Sequence, residues 1–102
     1  MYCVVFRSKA KKGKLEHIAQ FMKEKGIALM SQRPGAVAVY FVTRPDGEYN
    51  ILYFVDTMEH VQWYLEGPER KKALTESVLP LIEASPNVVV YEVQAASVPV
   101  PG

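Results

Sequence analysis

Residues 36–55 read AVAVYFVTRPDGEYNILYFV. Two runs rich in Val, Tyr and Phe flank Arg44-Pro45-Asp46-Gly47. Pro presets φ for a turn, and Asp-Gly tolerates the unusual angles that close a hairpin. The stretch is therefore predicted to be a β-hairpin. Successive side chains on a strand point to opposite faces. Val37, Val39 and Phe41 then oppose Ala36, Ala38, Tyr40 and Val42, while Tyr49, Ile51, Tyr53 and Val55 oppose Leu52 and Phe54. Neither face reads as polar, so both faces of the sheet are expected to be covered.

On each side of the hairpin lie one helical pattern and one further strand. Upstream, YCVVFRS (2–8) is β-branched and aromatic, and a Lys-rich loop with Gly13 follows it. From Lys14, Leu15, Ile18, Ala19, Met22, Leu29 and Met30 recur at helical steps, with a strain point at Gly26 and an end before Pro34-Gly35. Downstream, DTMEHVQWYLEGPERKKAL (56–74) opens with two cap candidates: Asp56, in a box with Glu59, and Thr57. Gly67-Pro68 interrupts this helix, and Pro suits the first turn of a second segment. In that segment Leu74, Val78, Leu81 and Ile82 share an apolar face, and Pro80 bends or shortens it. VVVYEVQ (88–94) is the last strand, with Val89, Tyr91 and Val93 opposing Val88 and Val90. The order βαββαβ predicts an α+β, ferredoxin-like domain over residues 1–94. It has a four-stranded antiparallel sheet with two helices on one face. Residues 95–102 form a Pro-rich C-terminal tail.

Two helices cover one face only. Strand one repeats the two-sided pattern, Tyr2, Val4 and Phe6 against Cys3 and Val5. The second face would leave an apolar patch larger than a monomer normally shows. A second copy packed by two-fold symmetry is the simplest cover, so a homodimer through this face is expected.

Composition narrows the functional classes. The chain has 102 residues, 49% hydrophobic and 23% charged, with a formal net charge of +1. It has no basic stripe of the kind nucleic-acid binding needs; SKAKKGK (8–14) reads as a solvated loop. No apolar run approaches the ~20 residues of a membrane span, and the N-terminal run lacks the basic start of a signal peptide. The single cysteine, Cys3, excludes an internal disulfide and Cys-based metal motifs, and it fits the reducing cytoplasm. The two histidines lie on different elements, so no metal site is expected.

The strand order, the apolar second face and the wording of several segments resemble the antibiotic-biosynthesis-monooxygenase-like group of dimeric α+β barrel proteins. The pieces that carry the resemblance are Pro34-Gly35 before strand two, ILYFVDTMEHVQWYLEGPERKKAL (51–74), and the closing VVVYEV. In many relatives an aromatic and an acidic residue end strand three. A Ser or Thr, a short helix, an "SP" or "TP" dipeptide and a longer helix follow. Here Val55, Asp56, Thr57 and Gly67-Pro68 hold those places. The resemblance spans nearly all of residues 2 to 94. It implies a cofactor-independent monooxygenase-like protein acting on a small aromatic or quinol-type substrate. A non-catalytic dimeric binding module of the same fold is the other implication. Haem degradation of the type found in some relatives is disfavoured. Trp63 fits that pattern, but its iron-binding His falls near Ala73 or Leu74 and its Asn at Phe6 or Arg7.

The candidate site residues follow from these readings. His60 matches one of several helix-two histidines of the quinol-oxidising relatives, and a histidine beside a pocket can serve as general base. The other reading is a half-exposed helix residue bonded to a neighbour. Trp63 and Tyr64 are expected to form an aromatic wall, although Trp63 also suits the domain edge or dimer rim. Arg7 interrupts an apolar face, so it either pairs with an acid or reaches the pocket mouth as an oxyanion contact. Tyr40 and Tyr53 are further candidate lining residues, because a buried hydroxyl needs a partner.

Overall fold

The β-hairpin centred on residues 44–47 closes as its sequence demands. Gly47 N–H donates to the Arg44 carbonyl at 3.1 Å, Asp46 Oδ1 accepts from Glu48 N–H at 2.9 Å, and Gly47 takes φ +95°. These bonds belong to a turn that only glycine enters without strain. The computed structural model describes residues 1–97, apart from the side chains of Glu69 and Leu74. The apolar role expected of Leu74 and the end of the Pro-rich tail therefore lie outside the described residues.

Four strands, β1 (Tyr2–Lys9), β2 (Ala36–Thr43), β3 (Glu48–Val55) and β4 (Asn87–Glu92), form one antiparallel sheet in the order β2-β3-β1-β4. This is the ferredoxin-like arrangement. The central register sets Val4 between Tyr53 and Val90, and Phe6 between Ile51 and Val88. These residues turn to the helices and build the core with Tyr49 and Val55. The alternation expected of β2 fails at its start. A bulge lies between Ala36 and Ala38, so Ala36 pairs with Val55 and packs against the core. An extra residue in one strand flips everything before it to the other face.

The first helical arm starts as α1 (Leu15–Phe21), widens into a π-helical stretch over Met22–Gly26, and continues as α2 (Ile27–Ser31). Gly26 lies in this widened turn against the Met22 side chain, whose sulfur would have to shift if a Cβ were added there. The second arm comprises α3 (Met58–Glu66), α4 (Pro68–Ala73), a π-helical stretch (Leu74–Val78) and a 3₁₀ turn over Leu79–Leu81 that holds Pro80. Of the two cap candidates Thr57 is the cap: its Oγ1 accepts from His60 N–H at 3.2 Å. Asp56 instead bonds the His60 side chain. Ile18, Met22, Met30, Val61 and Ile82 are the buried residues these arms and their flanks press onto the sheet.

Among the described residues, no helix covers the opposite face. Tyr40 and Tyr91 are 57% and 55% exposed there, beside Val42 and the Tyr40–Phe54 edge-to-face pair. Among the described residues no helix is long and apolar enough to cross a membrane.

Candidate functional site

A cavity of about 420 Å³ opens between the two helical arms and the sheet. Its floor is Phe6, Tyr49 and Ile51; the first arm adds Phe21, Met22, Leu29 and Met30, and the second adds Tyr64, Ala73 and Val78. Both π-helical stretches contribute to the wall, through Met22 and Gly26 on one side and Val78 on the other. Widened turns of this kind recur at functional sites because they re-aim side chains within a helix.

Few charged groups reach this space, and those described have one sign. Arg33, just beyond the end of α2, and Arg70, in α4, both line it. Arg70 lies over the Phe6 ring with its guanidinium carbon 5.4 Å from the centroid, a cation–π contact that fixes its position. Arg33 runs under the helix break: a Cβ on Gly67 would stand 3.6 Å from its Nη2 and 3.3 Å from the carbonyls of Trp63 and Tyr64. The guanidinium thus lies at van der Waals distance from the Gly67-Pro68 break that ends α3.

Gln32 and two tyrosines, Tyr49 and Tyr64, add uncharged polar groups to the lining. Burial pushes the Tyr64 phenol up, and Arg70 and then Arg33 pull it partly back. Burial likewise raises the Tyr49 phenol against a hydrogen bond with Ser8. Both remain protonated donors at neutral pH. Tyr64 is edge-on to Phe6 at 6.0 Å and to Tyr53 at 4.9 Å, so its ring is held on two sides. Among the described lining residues there is no His, Cys, Asp or Glu. Elsewhere among the described residues, no group of three or more such side chains gathers as a metal ion would need.

The six residues expected from sequence part company here. Tyr64 lines the cavity. Tyr53 stands behind it, fully buried; its hydroxyl donates to the Met30 carbonyl at 2.8 Å, and burial, then Tyr64, push its phenol up to about 12. It ties down the end of α2, whose last carbonyls lack helical partners. Tyr40 points to the helix-free face, because it pairs with Leu52 on the opposite side of the sheet from Tyr53. Arg7 also belongs to that side. It lies 3.9 Å from Glu48, in a shallow polar depression with Ser8, Lys9 and Asp46. Of its two readings, pairing with an acid is the one the geometry matches.

His60 and Trp63 do not line the cavity. The Trp63 ring is 61% exposed and lies 6.0 Å from the His60 ring. His60 Nδ1 is 2.7 Å from Asp56 Oδ1. The Asp56 carboxyl is held below its ordinary value of 3.8, first by that hydrogen bond, so it accepts and Nδ1–H donates. Gly35, at φ +81°, packs against this pair: a Cβ there would fall 2.3 Å from both Asp56 Oδ1 and His60 Nδ1. Asp56 N–H also donates to the Gly35 carbonyl at 3.0 Å. The conspicuous histidine is part of a clasp between the turn before β2 and the start of α3.

Sequence reasoning missed Arg33, Arg70, Tyr49 and Phe6. The last two were legible, since strand alternation puts them on the helix side. The two arginines gave no periodic signal: Arg33 follows a helix end and Arg70 a helix break.

No protein-family model and no curated protein matches the sequence. Solved structures do match. A protein of unknown function from Nitrosomonas europaea superposes with TM-score 0.82 at 21% identity, over 97% of this chain and 94% of its own. A "putative antibiotic biosynthesis monooxygenase" from the same organism gives TM-score 0.79 at 13% identity, over 93% of this chain and 100% of its own. One of the same description from Deinococcus radiodurans gives 0.76 at 16%, with both chains fully covered. At these identities the likeness establishes the fold. It is the fold of the antibiotic-biosynthesis-monooxygenase-like proteins, as the sequence resemblance implied.

Proposed function

We propose that the chain is a cofactor-independent monooxygenase-like protein whose helix–sheet cavity takes a small aromatic or quinol-type molecule. One observation carries this reading: a cavity of about 420 Å³ with apolar walls and a few convergent polar groups at Tyr64, Arg33 and Arg70. In such a reaction one oxygen atom of O₂ enters the substrate and the other leaves as water, with all four electrons drawn from the substrate. The protein's part is to exclude water and to stabilise the ionised substrate. Arg33 and Arg70 supply positive charge for that, and Tyr64 supplies a hydrogen-bond donor. His60 is not assigned as the base, because it faces Asp56 and Gly35.

A second reading is favoured by the same lining. With Tyr49 and Tyr64 raised and no described carboxylate or imidazole in the wall, the cavity suits retention of a ligand without proton transfer. Oxygen consumption with a panel of hydroquinones separates the two. Turnover that falls at least about tenfold in Tyr64→Phe or Arg70→Gln fits the enzyme. No uptake by the unaltered protein on any member leaves the binding module.

The helix-free face supports a homodimer in either case. Its exposed Tyr40, Val42 and Tyr91 adjoin Leu52, Phe54 and Val5, and covering such area contributes about 25 cal/mol per Å². Sedimentation at micromolar concentration should show a dimer, and Leu52→Asp should show a monomer. A monomeric unaltered protein would remove this part of the proposal.

A further inference from the structure

The two helical walls of the cavity are seated unequally on the sheet. The first arm presses Ile18, Met22 and Met30 into the core, and Tyr53 ties its end through the Met30 carbonyl. The second arm is anchored as far as α3, where Val61 is buried. Beyond Gly67, none of the described side chains of Pro68–Val78 is fully buried, and Val78 touches the core from a half-buried position. The described backbone groups of this stretch make no hydrogen bond to another strand or helical arm. The chain is pinned again just after it: Lys11 N–H donates to the Leu81 carbonyl at 2.8 Å, and Glu83 N–H to the Lys9 carbonyl at 2.9 Å. A stretch with few buried apolar groups between two anchors is the part of a fold that opens at least cost.

Both ends of the stretch are breaks in regular winding. Gly67 ends α3 in an extended conformation, φ −67° and ψ 139°, and Pro68 follows it. At the far end the 3₁₀ turn over Leu79–Leu81 holds Pro80, whose ring cannot continue a helix. The side towards the cavity carries Arg70, Ala73 and Val78. Steps of three and then five residues share a side because the winding changes from α to π between them. Ala73 and Val78 are half-buried and show part of their apolar surface to open space, which a ligand would cover. Arg70 reaches across to the sheet, its guanidinium carbon 5.4 Å from the Phe6 centroid.

We infer, on the reading of the cavity as a ligand site, that Pro68–Val78 is a strap that closes on the bound molecule. It turns at Gly67 and at the 3₁₀ turn, and the contact of Arg70 with Phe6 latches its resting position. Closure brings Ala73 and Val78 onto the ligand, while the first arm and the sheet stay in place. Arg70 acts here as a positioning residue for the strap.

Hydrogen exchange of the full chain, read by mass spectrometry with and without 2-naphthol, tests this. In the unliganded chain the amides of residues 69–78 should exchange at least about tenfold faster than those of α3 and the first arm. Saturating 2-naphthol should slow them several-fold and change the first arm little. Arg70→Gln, shown to be folded by its melting temperature, should speed exchange in 69–78 before any ligand is added, and 2-naphthol should leave it faster in stopped-flow fluorescence. Arg70→Lys, which keeps a cation over the ring, should restore part of both effects. A side chain that only touched the ligand would not alter exchange in the unliganded chain. Exchange in 69–78 as slow as in α3, or unliganded exchange unchanged in folded Arg70→Gln, overturns the inference. If calorimetry shows 2-naphthol bound while exchange in 69–78 stays the same, the strap is overturned and the ligand site stands; no binding at all overturns both.

Discussion

The turn Arg33-Pro34-Gly35 meets the second helical arm at two places, and the two contacts differ in kind. At the start of α3, Gly35 packs on the Asp56–His60 pair with no room for a Cβ. Near its end, Arg33 passes beside Gly67 to the cavity. The first contact is a tight, backbone-determined clasp. The second leaves a charged group at the edge of an open space. Rare residue types mark the clasp and common ones mark the cavity, so conspicuous chemistry in the sequence is here spent on architecture.

That contrast can be broken from either side. The largest effect is expected at Gly35→Ala. Left-handed backbone for a non-glycine residue and a clash with two side chains together cost about 3 kcal/mol, so thermal unfolding should drop by roughly 10–20 °C. An unchanged melting temperature would mean that the clasp does not hold the turn. Asp56→Asn should cost less, and its effect should depend on pH in one direction. The Asp56 carboxyl is held below 3.8 in the folded chain. Its contribution is therefore present above that value and disappears as pH falls through the lower folded value. The gap in melting temperature between the unaltered protein and Asp56→Asn should be open at pH 6 and narrow as the pH is taken progressively below 3.8. A gap that widens on acidification would contradict the pairing.

On the cavity side, Tyr64→Phe should leave the melting temperature nearly unchanged while weakening an anionic ligand several-fold, about 1 kcal/mol for one lost hydrogen bond. The smallest effect is expected at Trp63→Ala. An indole exposed to 61% and absent from the cavity wall should matter neither to ligand affinity nor much to stability. A loss of binding there would reinstate Trp63 as part of the site.

The fold was legible because each local signal agreed with the others. Period-two alternation fixed the faces of β1, β3 and β4. RPDG closed the hairpin, Thr57 capped α3, and Gly67-Pro68 broke the arm. The bulge after Ala36 was not legible, because Ala and Val are acceptable on either face of a sheet apolar on both. The site was half legible. Tyr64 shares a face with the core stripe of α3, and strand alternation places Tyr49 and Phe6. Arg33 and Arg70 both reach the cavity, across a span of sequence with no repeating period. His60 drew notice by residue type, but its surroundings are set by Gly35, far away in sequence.

The paired π-helical stretches at Met22–Gly26 and Leu74–Val78 make the cavity adjustable by chain length. A widened turn is equivalent to one residue inserted into an α-helix, and each residue turns the helix by about 100°. Deleting one residue from either stretch would restore regular winding and rotate the segment beyond it. The sheet and its pairing would stay as they are. Ligand space in this scaffold can thus be revised by single-codon insertions and deletions in the helices, a route independent of substituting the wall residues themselves.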